Sequence, residues 1–134
     1  MPHISKRKLD KEQEKELIHS FELVLTKISS YSEMHNFLGS LLTPTEHIML
    51  AKRLAIVVLL KDGLPQASIA NALNVTQATV SRMDLFLDSR GQGYGIAIAK
   101  LENEKTFQEF KTLLLKVAGY SVRAAGGYVK PEII

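Results

Sequence analysis

Residues 66–83 read QASIANALNVTQATVSRM, and their pattern decides the fold. The stretch divides into two short helices joined by a tight turn. Ile69, Leu73, Val75, Val80 and Met83 stand where such a pair needs inward apolar groups. Ala70 falls where the helices cross, and a larger side chain there pushes them apart. Asn74 takes the turn position that needs positive φ, and asparagine is the best non-glycine residue for it. Thr76 caps the second helix, which opens with Gln77, Ala78 and Thr79. This is the pattern of a helix-turn-helix, whose second helix puts its early residues into the DNA major groove.

The outward residues suit that role. Gln77 can pair bidentately with adenine, and Ala78 can meet a thymine methyl. Thr79 and Ser81 can bond base edges or phosphates. Gln66, Ser68 and Thr76 lie near helix N-termini, where backbone dipoles favour phosphate oxygens. With Arg82 these residues form the expected DNA-contacting set. Residues 63–83 hold no acid and one base, Arg82, which is a mild rather than a strong electrostatic signal. The competing reading is a packing corner of two helices with no ligand.

Upstream, Thr43, Pro44 and Glu46 form a strong helix start. Thr43 supplies the cap oxygen, Pro44 fits the first helical position, and Glu46 completes a capping box. The helix they open carries Ile48, Leu50, Ala51, Leu54 and residues 56–60 (IVVLL), so it is expected to be the central buried helix. Gly63 ends it in a left-handed conformation. Before it, Ser32 is expected to cap a short helix through Leu42. Earlier still, Asp10 opens a long helix with one apolar stripe of Leu17, Phe21, Val24, Leu25 and Ile28. That stripe needs a partner surface. Residues 1–8 (MPHISKRK) read as a basic N-terminal arm.

Downstream, RGQGYG (90–95) reads as a flexible turn, and residues 94–99 as either an extended piece or a helix start. Phe107, Phe110, Leu113, Leu114 and Val117 predict a C-terminal helix over 102–118. Residues 119–134 read as a loose tail.

Composition excludes several classes. The 134 residues suit one main domain, here 9–101, and an apolar content of 46% excludes wholesale disorder. The absence of cysteine excludes disulfides, thiol catalysis and thiolate metal sites. His3, His19, His35 and His47 do not fall at metal-ligand spacing, and RGQGYG follows no strand of a βαβ unit. No apolar run reaches the roughly 18 to 20 residues that span a bilayer, and the N-terminus is charged. No cofactor, metal or membrane partner is expected, and a cytoplasmic location is. A net charge of +3 permits a polyanionic partner without requiring one.

Residues 32–101 resemble the Trp repressor superfamily, especially its branch of small Trp-repressor-like proteins related to YerC. The resemblance rests on LTPTE (42–46), AKRL (51–54), LLKDG (59–63), IANALNV (69–75) and ATVSR (78–82). GQGY (91–94) is similar to a Gly-x-Gly-Tyr segment that follows the recognition helix in the YerC-like branch. The resemblance implies an all-α, intertwined homodimer whose N-terminal helices interlock. It also implies a pseudo-palindromic operator in double-stranded DNA, read by two recognition helices about one turn apart.

The resemblance further implies a candidate effector pocket. In tryptophan-binding members an indole lies between two arginines matching Arg53 and Arg82, near a backbone carbonyl matching Thr43. Thr79 is retained as well. The positions of Met83 and Phe86, however, hold a glycine and a serine in those members. Phe86 cannot bind an amino group as a hydroxyl does, and its bulk is expected to fill the pocket. Tryptophan is therefore not the expected effector. Surface pairing or phosphate contact is the preferred role for Arg53 and Arg82, with Lys61 a further phosphate contact.

The main expectation is a sequence-specific transcriptional regulator, acting as a homodimeric repressor and not as an enzyme. The alternative is a helical protein-protein interaction module with a degenerate helix-turn-helix.

Overall fold

A computed structural model describes residues 8–102, 104–117, 121–122 and 128–129. Its order is α1 (Lys11–Lys27), α2 (Tyr31–Leu41), α3 (Pro44–Lys61), α4 (Gln66–Leu73), α5 (Gln77–Arg90), α6 (Gln92–Leu101) and α7 (Lys105–Val117), then β1 (Ser121–Val122) and β2 (Tyr128–Val129). The architecture is all-α apart from this short antiparallel ladder, in which Ser121 pairs with Val129 and Val122 with Tyr128. These four residues depart from the expected loose tail, whose remainder lies outside the described residues. So does the N-terminal arm apart from Lys8.

The chain separates into two units, residues 1–47 and 48–134. In the first, Asp10 caps α1 by accepting from the Gln13 N–H at 2.8 Å. The α1 stripe is uncovered: Leu17, Phe21 and Val24 are exposed, as are Ile18 and Leu23, while Leu25 and Ile28 are half-buried. Ser30, not Ser32, caps α2, accepting from the Glu33 N–H at 3.1 Å. Both serines suit the role, but only Ser30 is followed by an acidic residue three positions on.

The capping box at α3 is fully formed. The Glu46 N–H donates to Thr43 Oγ1 at 3.1 Å, and the Thr43 N–H donates to the Glu46 carboxylate at 2.9 Å. The Thr43 N–H first, and then the Thr43 hydroxyl, hold the Glu46 carboxyl below the usual glutamate range.

The second unit is built round the C-terminal half of α3. Ala55, Ile56, Val57, Val58 and Leu59 are all buried. Ile48, Leu50 and Leu54 are exposed, so the central-helix expectation holds for only half of the helix. Its end is a Schellman closure, with Gly63 at φ 83°, its N–H donating to the Leu60 carbonyl and the Leu64 N–H to the Leu59 carbonyl. Leu64 then turns into the core. Ile69, Ala70 and Val80 pack there from α4 and α5, Ile98 from α6, and Phe107, Leu114 and Leu115 from α7.

The segment expected to be a flexible turn is helical. Arg90 ends α5, Gln92 starts α6, and Gly91 alone lies between. A Cβ on Gly91 would collide with the Leu87 carbonyl oxygen. Glycines 93 and 95 weaken a helix by about 1 kcal/mol each without forbidding it, and Ile98 packs against the core to offset them. Among the described residues, no helix is long and apolar enough to cross a membrane.

Candidate nucleic-acid interface

The helix-turn-helix forms as its local chemistry requires. Asn74 ends α4 at φ 54° and ψ 52°, the only positive-φ position outside glycine among the described residues. The Val75 N–H closes the turn on the Ala70 carbonyl at 3.0 Å. Thr76 then caps α5, its Oγ1 accepting from the Thr79 N–H at 3.1 Å. Ile69 and Val80 are completely buried, and Leu73, Val75 and Met83 pack around them, so the expected apolar set is in place.

A second tie joins the two helices. Ser81 donates to the Gln66 side-chain carbonyl at 2.6 Å, and the Gln66 amide nitrogen donates to Asp84 Oδ2 at 2.8 Å. All three residues are half-buried. Pro65 offers α4 no side-chain cap, so this is how the α4 N-terminus is anchored.

These bonds sort the sequence-derived set. Gln77, Ala78 and Arg82 are exposed on α5, with no side-chain partner among the described residues to hold them back from a duplex. Thr76 is exposed and Thr79 half-buried, and their hydroxyls bond each other at 2.9 Å. Gln66 and Ser81 face each other across the helix pair, and Ser68 is half-buried. The structure therefore brings Gln66, Ser81 and the Thr76–Thr79 pair into the motif's own framework. Asp84 was missed: its signal was its place on one α5 face with Gln77 and Ser81, at helical spacing.

Beside α5 lies a cavity of about 460 Å3. Met49, Ile56, Val75, Met83, Phe86 and Tyr94 supply its apolar lining, Thr79 a hydroxyl, and Lys52, Arg53 and Arg82 its cations. Arg53, Thr79 and Arg82 thus meet at one cavity. Thr43 belongs to the first unit, where its hydroxyl and N–H serve the capping box and its carbonyl accepts from the His47 N–H. Phe86 lines the cavity but does not fill it, contrary to expectation. It is 40% exposed. Lys52 and Tyr94 were not anticipated; Lys52 lies next to Arg53, and Tyr94 enters because 90–95 is helical.

Among the described residues, no group of histidines and acids is placed to hold a metal ion. His3 lies outside them, and His35 stacks on Tyr31 with ring centroids 5.8 Å apart.

Comparison with curated proteins and comparison with solved structures each gave no significant match. Comparison with family models matched residues 15–102 to the Trp repressor protein family. That span runs from α1 to the end of α6 and contains the helix-turn-helix. The chain belongs to the Trp repressor family, a family of non-enzymatic transcriptional regulators.

Proposed function

We propose that this protein is a sequence-specific DNA-binding repressor that acts in the cytoplasm as a homodimer on a pseudo-palindromic operator in double-stranded DNA. The observation that carries the reading is the formed helix-turn-helix with Gln77, Ala78 and Arg82 exposed on α5. Gln77 and Ala78 contact base edges. Arg82 and Thr76 contact phosphates, with Ser68 and the α4 N-terminus beside them. Gln66 and Ser81, bonded to each other, and Thr79, bonded to Thr76, support this surface.

The dimer is supported by the uncovered α1 stripe. Five large apolar side chains on one 17-residue helix, each about half exposed or more, are what a second copy would bury. The GQGY run supports placement in the YerC-like branch.

The cavity beside α5 supports control by a small acidic effector with an apolar body. Lys52, Arg53 and Arg82 suit a carboxylate, and among the described residues the lining holds no acid to meet an ammonium group. The Thr79 hydroxyl is already bonded to Thr76. An aromatic carboxylate without an amino group fits these walls better than tryptophan. Calorimetry that finds tighter binding of tryptophan than of such a carboxylate defeats this assignment.

The experiment for the main reading is selection of bound duplexes from a random pool, followed by shift assays on Gln77→Ala. A defined palindromic site should emerge, and loss of a bidentate contact should relax selectivity by about 1–3 kcal/mol at one position of each half-site. No enriched sequence, or an unchanged preference after the substitution, refutes the groove assignment. The weak basicity of residues 63–83 favours a second reading, a protein-binding helical module. Affinity for DNA that is absent or insensitive to salt would favour it.

A further inference from the structure

The helix-turn-helix is tied at two points. One is the turn itself, where Asn74 and Thr76 set the exit from α4 and the start of α5. A turn alone leaves the two helices free to splay at their far ends. The second tie closes that end, because Gln66 is the first residue of α4 and its partners Ser81 and Asp84 lie in the body of α5.

The chemistry of the second tie is directional. A glutamine amide has one acceptor end and one donor end. Asp84 is an acceptor when ionised, so it takes the amide nitrogen and turns the carbonyl towards Ser81. The flipped amide would set two acceptors against each other at the carboxylate and leave the Ser81 hydroxyl with a donor. The carboxylate thus fixes the amide, and the amide draws the Ser81 hydroxyl towards α4 and away from a duplex.

We propose that Asp84 is a positioning residue for sequence recognition: acting through Gln66, it sets the angle of α5 and withholds Ser81 from the DNA. The proposal rests on the DNA-binding reading. An acid on a recognition helix is otherwise unfavourable beside phosphates. Here it is half-buried and already bonded to an amide of the same motif.

The test compares affinity for the selected site with affinity for a scrambled duplex at one salt concentration. Asp84→Ala removes the acceptor. Asp84→Asn keeps an oxygen that can take the Gln66 amide. The ratio of specific to non-specific affinity should fall on the order of tenfold in Asp84→Ala, the scale of one lost hydrogen bond. Asp84→Asn should keep the wild-type ratio while binding both duplexes more tightly, since a negative charge is gone. Gln66→Met cuts the same tie from α4 and should match Asp84→Ala, which keeps the test open if that variant fails to fold. An unchanged ratio in Asp84→Ala or Gln66→Met overturns the proposal. So does an equal fall in Asp84→Asn, which would make the charge rather than the tie decisive. A wild-type ratio of one overturns the DNA-binding reading and the proposal together, and is distinct from both of those results.

Discussion

The Lys111 ammonium lies 3.1 Å from Asp62 Oδ1 and so ties α7 to the end of α3. Both side chains are largely buried, and Asp62 Oδ2 is buried without a hydrogen-bond partner among the described residues. Two residues after Asp62, Leu64 enters the core, and Gln66 begins α4. A helix beyond the family-matched span therefore bears on the approach to the recognition motif. Lys111→Met keeps the bulk but leaves the carboxylate alone. It should cost about 1–2 kcal/mol, less than for a fully buried pair because water still reaches the site. Denaturant unfolding measures this, and an unchanged midpoint would make the ion pair incidental.

The turn at Asn74 offers a second test. Its φ of 54° suits asparagine or glycine and strains a β-branched residue. Asn74→Gly should be near neutral. Asn74→Val should lower stability by about 1–2 kcal/mol. Thermal unfolding of the pair distinguishes turn strain from loss of a side-chain contact, which would affect both variants.

At the α5–α6 junction the expected effect comes from bulk. Gly91→Ala places a Cβ against the Leu87 carbonyl, which belongs to the helix backbone and cannot swing aside. The substitution should destabilise by about 1–3 kcal/mol, although alanine is the better helix former. A stabilised Gly91→Ala protein would mean that the two helices do not meet this closely.

Acid should loosen the start of α3. The Glu46 carboxyl titrates below its ordinary range because the Thr43 N–H and hydroxyl hold its charged form. Its contribution is therefore complete above the unfolded glutamate value and is lost as pH falls through the lower folded value. The amide protection factors at residues 43 and 45–47, followed from pH 6 downward, should fall in that acidic window in the wild type and show no such step in Glu46→Ala.

Arg82 bears on salt dependence. As an exposed cation on α5 it should neutralise one phosphate. Arg82→Ala should weaken binding about evenly across sequences and reduce the slope of log affinity against log salt by about 1. A sequence-selective loss would instead make Arg82 a base contact.

Much of this was legible in local chemistry. Thr43 and Glu46, Asn74, Thr76 and Gly63 each signal through a cap or a backbone conformation that a few neighbouring residues determine, and each acts as its type predicts. The 90–95 segment misled because glycine biases a chain away from helix by only about 1 kcal/mol per residue, an amount that packing of Ile98 can override. The direction of Ser81 was equally hidden, since it depends on a glutamine fifteen residues earlier.

The sequence by itself determined where the helices start and stop around the recognition motif, and that the motif is a helix-turn-helix, because caps and turns are short-range and strong. Only the tertiary structure decided which of the motif's polar groups remain exposed, that Arg53, Thr79 and Arg82 share one cavity, and that α7 closes the core through Phe107, Leu114 and Leu115. Those outcomes depend on side chains distant along the chain meeting at packed surfaces, and no local pattern encodes which partner each will find.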